Sequence, residues 1–227
     1  MKKKDHQVEM RYEKKWIYNK NNYYQILSSL MRSNFNFKHH YKNRIVNTVY
    51  FDDYNLSNVI DNIEGQKNRV KYRLRWYGSD KYIHKPVFET KYKKALQTYK
   101  KKFFINLKKK LHTGNLDNFN DLKKKLNLKI LNNNLLQPKI LISYNRTYLI
   151  SSDNLIRATI DQDIKYKKLG KFDNNFFYKF NNIVMEMKYD INLDSYFRSL
   201  INNISVRYSK SSKYVNCMLL SSREFSN

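Results

Sequence analysis

Apolar and polar residues alternate with a period of two along much of the chain, and the polar side of the alternation is densely charged. Residues 8–18 read V-E-M-R-Y-E-K-K-W-I-Y, with Val8, Met10, Tyr12 and Lys14 to one side and Glu9, Arg11, Glu13 and Lys15 to the other. That period marks a strand. Residues 69–77 repeat it more sharply: Arg69, Lys71, Arg73 and Arg75 point one way, and Val70, Tyr72, Leu74 and Trp76 the other. Same-face residues of a strand stand about 6.6 Å apart, so the cations form a continuous row. The same habit returns over 44–51, 87–92 (Glu89 and Lys91 sharing a face), 96–105 (Lys100 and Lys102), 139–150 (Tyr144 and Arg146), 155–166 (Arg157, Thr159, Asp161 and Asp163) and 183–189 (Glu186 and Lys188). About eight strands are predicted.

Helical spacing is confined to short stretches. Residues 21–32 follow an Asn able to cap them, 55–64 end at Gly65, and 194–201 begin on Asp194. The Lys- and Asn-rich stretch 107–136 reads as a surface insertion, with helical spacing over 117–128. Residues 174–182 read as a loop and 205–220 as a mixed basic and aromatic end. The expected class is α+β, in a single domain over the whole chain. Strands charged on one face and apolar on the other admit an open sheet with its charges in water, or a barrel with its charges inward and helices packed outside. Solvent-facing strands are usually rich in Thr and Lys, whereas these carry repeated Glu-x-Lys and Arg-x-Arg spacings, which favours the barrel.

Composition sharpens the question of what such a barrel encloses. Lys+Arg number 45 against 19 Asp+Glu, a formal charge of +26 at pH 7, which attracts polyanions: nucleic acid, anionic membrane, nucleotides or polyphosphate. Part of the lysine excess follows the enrichment in Lys, Asn, Ile and Tyr that A/T-rich coding produces, so the positions of arginine are more informative. Aromatic residues at 15% and few Gly and Pro argue for a packed domain. The lone Cys217 excludes an intrachain disulfide and reads as a core residue, and the adjacent His39 and His40 face opposite ways on a strand, which disfavours a metal pair. No apolar run approaches the roughly 20 residues of a membrane span, and no apolar segment follows Lys2-Lys3-Lys4 to make a secretory signal; a cytoplasmic protein is expected.

A set of segments in fixed order carries a family resemblance: R-Y-E-K-K-W-I-Y from Arg11, V-Y-F-D-D-Y-N-L-S-N-V-I-D-N-I-E-G from Val49, V-K-Y-R-L-R-W-Y-G from Val70, F-E-T-K from Phe88, Y-N-R from Tyr144, R-A-T-I-D from Arg157, M-E-M-K-Y from Met185 and K-S-S-K-Y from Lys210. By these the chain resembles the catalytic domain of the vacuolar transporter chaperone (VTC) polyphosphate polymerases, of the triphosphate tunnel metalloenzyme superfamily. The resemblance implies a closed eight-stranded antiparallel barrel flanked by helices, with ATP and inorganic polyphosphate as its partners. It implies Arg73, Arg75, Lys91, Arg146, Arg157 and Lys213 as cations acting on the reacting phosphates. Lys15, Lys71, Lys102, Tyr144, Lys210 and Ser212 are implied as further substrate contacts, Lys100 being an alternative to Lys102. Glu186 is implied as the ligand of a Mn²⁺ or Mg²⁺ cofactor, with Glu13 and Glu89 as weaker candidates. The residue types suit the chemistry: Arg offers a planar fork to phosphate oxygens, Lys a point charge, and acids a seat for a divalent cation.

The hydrolase branch of that superfamily commonly opens with Glu-x-Glu-x-Lys, whereas Arg11-x-Glu13-x-Lys15 stands here; replacing the first acid by a cation resembles the polymerase branch. The expected reaction is transfer of the ATP γ-phosphoryl group to the end of a polyphosphate chain. Two alternatives stay open: hydrolysis of tripolyphosphate or nucleoside triphosphates in the same tunnel, and a binding module for polyphosphate or nucleic acid without chemistry. Nucleic acid is not expected, because the aromatics of 69–77 lie opposite its arginines. Eukaryotic relatives often add a regulatory SPX domain and membrane helices. Neither is in this sequence, and export of a product would call on a separate membrane partner.

Overall fold

In the computed structural model, which describes residues 7–8, 11–95, 97–114, 119, 122, 136–170, 176–201 and 208–223, the period-two segments are strands. The order is β1 (Gln7–Val8), β2 (Arg11–Asn19), helix α1 (Tyr23–Met31), β3 (Lys38–Asp52), α2 (Ser57–Ile63), β4 (Asn68–Tyr77), β5 (Tyr82–Ile83), β6 (Val87–Lys94), β7 (Gln97–Phe104), β8 (Leu111–His112), β9 (Gln137–Ile150), β10 (Arg157–Lys168), β11 (Tyr178–Lys179), β12 (Asn182–Asp190), α3 (Asp194–Ile201) and α4 (Lys213–Arg223). The large sheet runs β1-β7-β6-β4-β3-β9-β10-β12-β2, with β11 paired on β10, and β5 and β8 form a small sheet of their own. All the pairings are antiparallel. Among the described residues no helix is long and apolar enough to cross a membrane.

The expected closed, eight-stranded barrel needs correcting. Nine strands lie along the path of the sheet, and no ladder joins its edges. The two-residue β1 pairs with β7 through Gln7↔Lys100 and Val8↔Tyr99, while β2 pairs with β12, so the edges share chain continuity instead of hydrogen bonds. Only Glu9 and Met10 separate Val8 from Arg11. Three residue steps span at most about 11 Å, so strands at opposite ends of the order are held side by side and the sheet curls into an incompletely zipped tunnel.

The alternation sorts its two faces. Outside, Trp16, Leu149, Ile160, Met185 and Met187 bury against Ile26 and Leu30 of α1 and Phe197 of α3. A second outer cluster joins Val49, Leu74, Trp76, Phe88 and Leu141 to Phe119 and Leu122. Burial of each such side chain contributes about 1.5–3 kcal/mol. Phe119 and Leu122 are thus core residues inside the stretch read as a surface insertion, whose helical portion otherwise lies outside the described residues, as do residues 202–207. From Lys213 onward, the region read as a basic, aromatic end forms α4. It packs Tyr214, Val215, Cys217 and Met218 against Val46, Tyr50, Ile142 and Val184, on the face that carries the charges. Buried Asp52 fixes this arrangement: its carboxylate accepts from Asn58 Nδ2 (2.7 Å), the backbone N–H groups of Asn58 and Val59 (3.1 and 3.2 Å) and the Tyr214 hydroxyl (2.7 Å), tying α2 and α4 to β3. Burial pushes the Cys217 thiol up to about 12, in keeping with an inert core residue.

One face assignment also changes. The pairing of β10 with β9 shifts between Gln162 and Lys165, around Asp163 with φ +52°. This bulge takes exposed Asp163 out of the row of Arg157, Thr159 and Asp161, and turns Ile164 and Tyr166 into the inner cluster.

Candidate functional site

Cross-strand register assembles the inner face. Arg73 lies opposite Glu89, and Lys71 opposite Lys91. Arg73 Nε donates to Glu89 Oε2 at 2.6 Å, Arg75 Nη1 stands 3.7 Å from the same oxygen, and Lys100 Nζ lies 2.9 Å from Oε1. Burial would raise the Glu89 carboxyl, but Arg73, then Arg75 and Lys100, hold it far below its usual range. Burial and Arg73 together push Lys100 down to about 8, against the opposing pull of Glu89. Arg75 Nε is buried with no hydrogen-bond partner, as is Oγ1 of Thr48, its register neighbour on β3. An unsatisfied buried polar group costs about 1–3 kcal/mol, so a donor left this way in a cationic cleft points to an anionic ligand.

Facing this group, Asp161 is fully buried beneath Arg146 and Lys213. Arg146 grips it with both Nε (2.6 Å to Oδ1) and Nη2 (2.8 Å to Oδ2), while Lys213 Nζ sits 2.5 Å from Oδ2. Tyr144 lies under both cations, its ring centre 5.2 Å from the Arg146 guanidinium carbon and 5.0 Å from Lys213 Nζ. Burial opposes ionisation of Tyr144, yet Arg146 and Arg75 outweigh it and lower its pKa.

A third group pairs acids and lysines of β2, β12 and β6. Glu186 lies 3.4 Å from Lys15 and 3.0 Å from Lys188, and Glu13 lies 3.4 Å from Lys188 and 3.0 Å from Lys91. The Lys91–Glu13 pair joins strands near opposite ends of the sheet order, so it crosses the gap that the main chain leaves open. Burial would raise Glu13, but Lys188, with Lys91 and Lys15, holds it at about 2. Lys15 Nζ also donates to the Ser211 carbonyl at 3.2 Å. Lys71 Nζ donates to Ser212 Oγ at 3.0 Å, and burial, then the nearby Lys15 and Lys91, push it down to about 7.

The structure therefore brings Arg73, Arg75, Lys91, Arg146, Lys213, Lys15, Lys71, Tyr144, Ser212, Glu13, Glu89 and Glu186 to one concave surface. Arg157 stands at the end of that surface, exposed, in register with Lys188. Lys102 and Lys210 are exposed; of the two lysines left open on β7, Lys100 and not Lys102 pairs with Glu89. Sequence reasoning passed over Asp161 and Lys188 as site residues, although both share the inner parity of neighbours that it named.

Could these residues seat a divalent cation? Among the described residues no group of three or more His, Cys, Asp or Glu side chains is placed to hold a metal. Glu13 and Glu186 are nevertheless both in contact with the Lys188 ammonium, at 3.4 and 3.0 Å, so their carboxylates are near neighbours. Both are held ionised by the surrounding cations. Two carboxylates fit an ion whose remaining ligands are phosphate oxygens and water, the usual mode of Mg²⁺. Glu89 does not fit this role, being locked between Arg73, Arg75 and Lys100 on the facing wall.

Comparison with known proteins agrees with this architecture. The VTC domain family matches residues 10–222, and the chain belongs to that family. No curated protein matches the sequence. Among solved structures the fold is similar to a protein of Pyrococcus horikoshii (TM-score 0.51, 9% identity, covering 93% of this chain and 99% of that one). It is also similar to proteins provisionally named adenylate cyclases from Vibrio parahaemolyticus (TM-score 0.51, 12% identity, 95% and 99%) and Bacillus halodurans (TM-score 0.52, 10% identity, 92% and 97%). At such identities the likeness extends to the fold alone.

Proposed function

We propose that this VTC-domain protein is a polyphosphate polymerase, transferring the γ-phosphoryl group of ATP to the terminal phosphate of an inorganic polyphosphate chain inside its tunnel. The observation that carries the reading is the inner face itself: a row of cations exceeding its acids, with a buried Arg75 Nε lacking a partner. A flexible polyanion of several phosphates suits such a row.

Arg73 and Arg75 are braced by Glu89, and Arg146 and Lys213 by Asp161, so four cations are fixed before substrate arrives. Preorganised charges aimed at phosphoryl oxygens supply most of the stabilisation in reactions with little covalent work for the protein. An oxygen of the terminal phosphate of the chain attacks the γ-phosphorus, the bond from that phosphorus to the β-bridging oxygen breaks, and ADP leaves with the bonding pair. The nucleophile is already anionic, so no general base is needed; alignment along the cation row does the rest. Lys15, Lys71 and Lys91 extend the row and position neighbouring phosphates. Glu186 and Glu13 would hold Mn²⁺ or Mg²⁺, which would supply Lewis-acid neutralisation of the phosphate charge.

The test is incubation of purified protein with ATP and Mn²⁺, with and without a short polyphosphate primer, resolving products by gel and phosphorus NMR. Long chains with equimolar ADP are expected. Orthophosphate without chains would move the protein to the hydrolase class, and the absence of turnover would leave a binding tunnel.

A further inference from the structure

The tunnel's cations account for phosphates but not for a nucleoside. At one rim, beyond the part of the inner face covered by α4, stands a group that none of the chemistry above uses. Arg44 of β3 places its guanidinium carbon 5.6 Å from the ring centre of Tyr77, 5.9 Å from Tyr41 and 6.0 Å from Tyr148. Tyr41 and Tyr148 meet edge to face, 5.9 Å apart at 84°. Tyr41 is 52% exposed and Tyr77 45% exposed. Among the described residues no carboxylate pairs with Arg44.

This cluster is built by an irregularity. Tyr41 pairs with Tyr148 and Arg44 with Arg146, so three residue steps on β3 match two on β9. In a regular strand, residues three apart face opposite ways. The extra residue puts Tyr41 and Arg44 on the same, inner side, and bulges commonly re-aim side chains next to functional sites. The cluster then lies in direct register with Arg146, the guanidinium that grips Asp161 beside Lys213. A ribose and its α-phosphate would span the step from this rim to the inner cations.

Building on the polymerase reading, we propose that Tyr41, Tyr77 and Arg44 form the nucleobase subsite, so that the nucleotide enters at this rim, triphosphate first, with its base stacked on the tyrosines. The three distances lie at the outer edge of cation–π contact, about 6 Å, so the guanidinium does not cover the rings. His40 takes one side of Tyr41, with ring centres 3.9 Å apart at 53°, and the exposed remainder of Tyr41 and Tyr77 stays available to a base. Stacking uses the face that every base possesses, and the subsite selects a nucleotide over an inorganic triphosphate without reading which base it carries.

Calorimetric titration of ATP and of inorganic tripolyphosphate into wild-type protein, Tyr41→Ala, Tyr77→Ala and the two Phe variants tests this. The Ala variants should weaken ATP binding by about 5- to 100-fold and leave tripolyphosphate unchanged, and the Phe variants should bind ATP like wild type. ATP affinity that survives both Ala substitutions, or an equal loss for both ligands, overturns the subsite while leaving the polymerase reading standing. Wild-type protein that binds tripolyphosphate and not ATP overturns both. Binding of neither ligand removes the tunnel reading and this inference with it.

Discussion

Two walls of the tunnel are built from the same residue types and behave differently. On β4, β6 and β7 the inner positions carry Arg69, Lys71, Arg73, Arg75, Lys91, Lys93, Lys100 and Lys102 against a single acid, Glu89. On β10, β12 and β2 they carry Arg157, Asp161, Glu186, Lys188, Glu13 and Lys15, acids and bases in near balance. The lysines report the contrast. Lys71, on the first wall, is pushed down to about 7 by burial and by the cations Lys15 and Lys91. Lys188, on the second, is raised because Glu186 and Glu13 outweigh the cost of its burial. These two lysines shift in opposite directions, and the cation-rich wall is the one short of negative charge, awaiting it from a ligand.

The largest effect should follow from weakening the cation-rich wall where its charge is most firmly held. Arg73→Ala or Arg75→Ala is expected to lower kcat/KM by a factor on the order of 10²–10³, with an unchanged circular dichroism spectrum; near-normal turnover in both would remove these arginines from the chemistry. Next comes the balanced wall. Asp161→Asn leaves Arg146 and Lys213 buried with no acid between them, and removing one partner of a buried ionic group costs about 3–5 kcal/mol. Thermal unfolding should show that loss, and added tripolyphosphate should restore more stability to the variant than to wild type, because the ligand replaces the missing negative charge. Equal stabilisation of both proteins would mean that phosphates do not reach this wall.

A smaller effect tests the seat of the metal. Glu186→Gln keeps the shape of the side chain and removes its charge, so the Mn²⁺ concentration needed for half-maximal activity should rise by about 10- to 100-fold. The KM for ATP at saturating metal should move much less. A change confined to the KM for ATP would make Glu186 a partner of Lys15 and Lys188 only.

Much of this contrast was legible along the chain, because strand period is simple and charge is conspicuous. The row of Arg73 and Arg75 and the shared face of Glu186 and Lys188 follow from counting every second residue. What escaped has a physical reason in each case. The flip at Asp163 needs a positive φ that no composition announces. The approach of the sheet's two edges depends on β1, too short at two residues to show a period. The plugging helix α4 mixes Lys213, Tyr214, Asn216 and Cys217, and packs against an interior that is itself partly charged, so its apolar stripe is weak. Asp161 and Lys188 were passed over because parity shows which side a residue faces, and only the folded sheet shows which residues meet there.

The smallest effect is the most specific to the cation-rich wall. Free Lys71 titrates near 7 and Lys100 near 8. A bound polyanion supplies the charge this wall lacks and raises both pKa values, so above about pH 7 binding must take up a proton at Lys71, and above about pH 8 a second at Lys100. Affinity that depends on proton uptake falls as pH rises, by up to about tenfold per pH unit for each proton. Ionisation of the phosphates follows pH as well, so the informative quantity is the ratio to Lys71→Arg, whose guanidinium stays charged throughout. Between pH 6.5 and 8.5 the Kd of wild type for tripolyphosphate, divided by that of Lys71→Arg, should rise by roughly tenfold. Calorimetry in buffers of different ionisation heat should register about one proton fewer taken up by the variant. A flat ratio would mean that Lys71 is already charged in the free tunnel, and the distinction between the walls would then lie in their geometry and not in their charge.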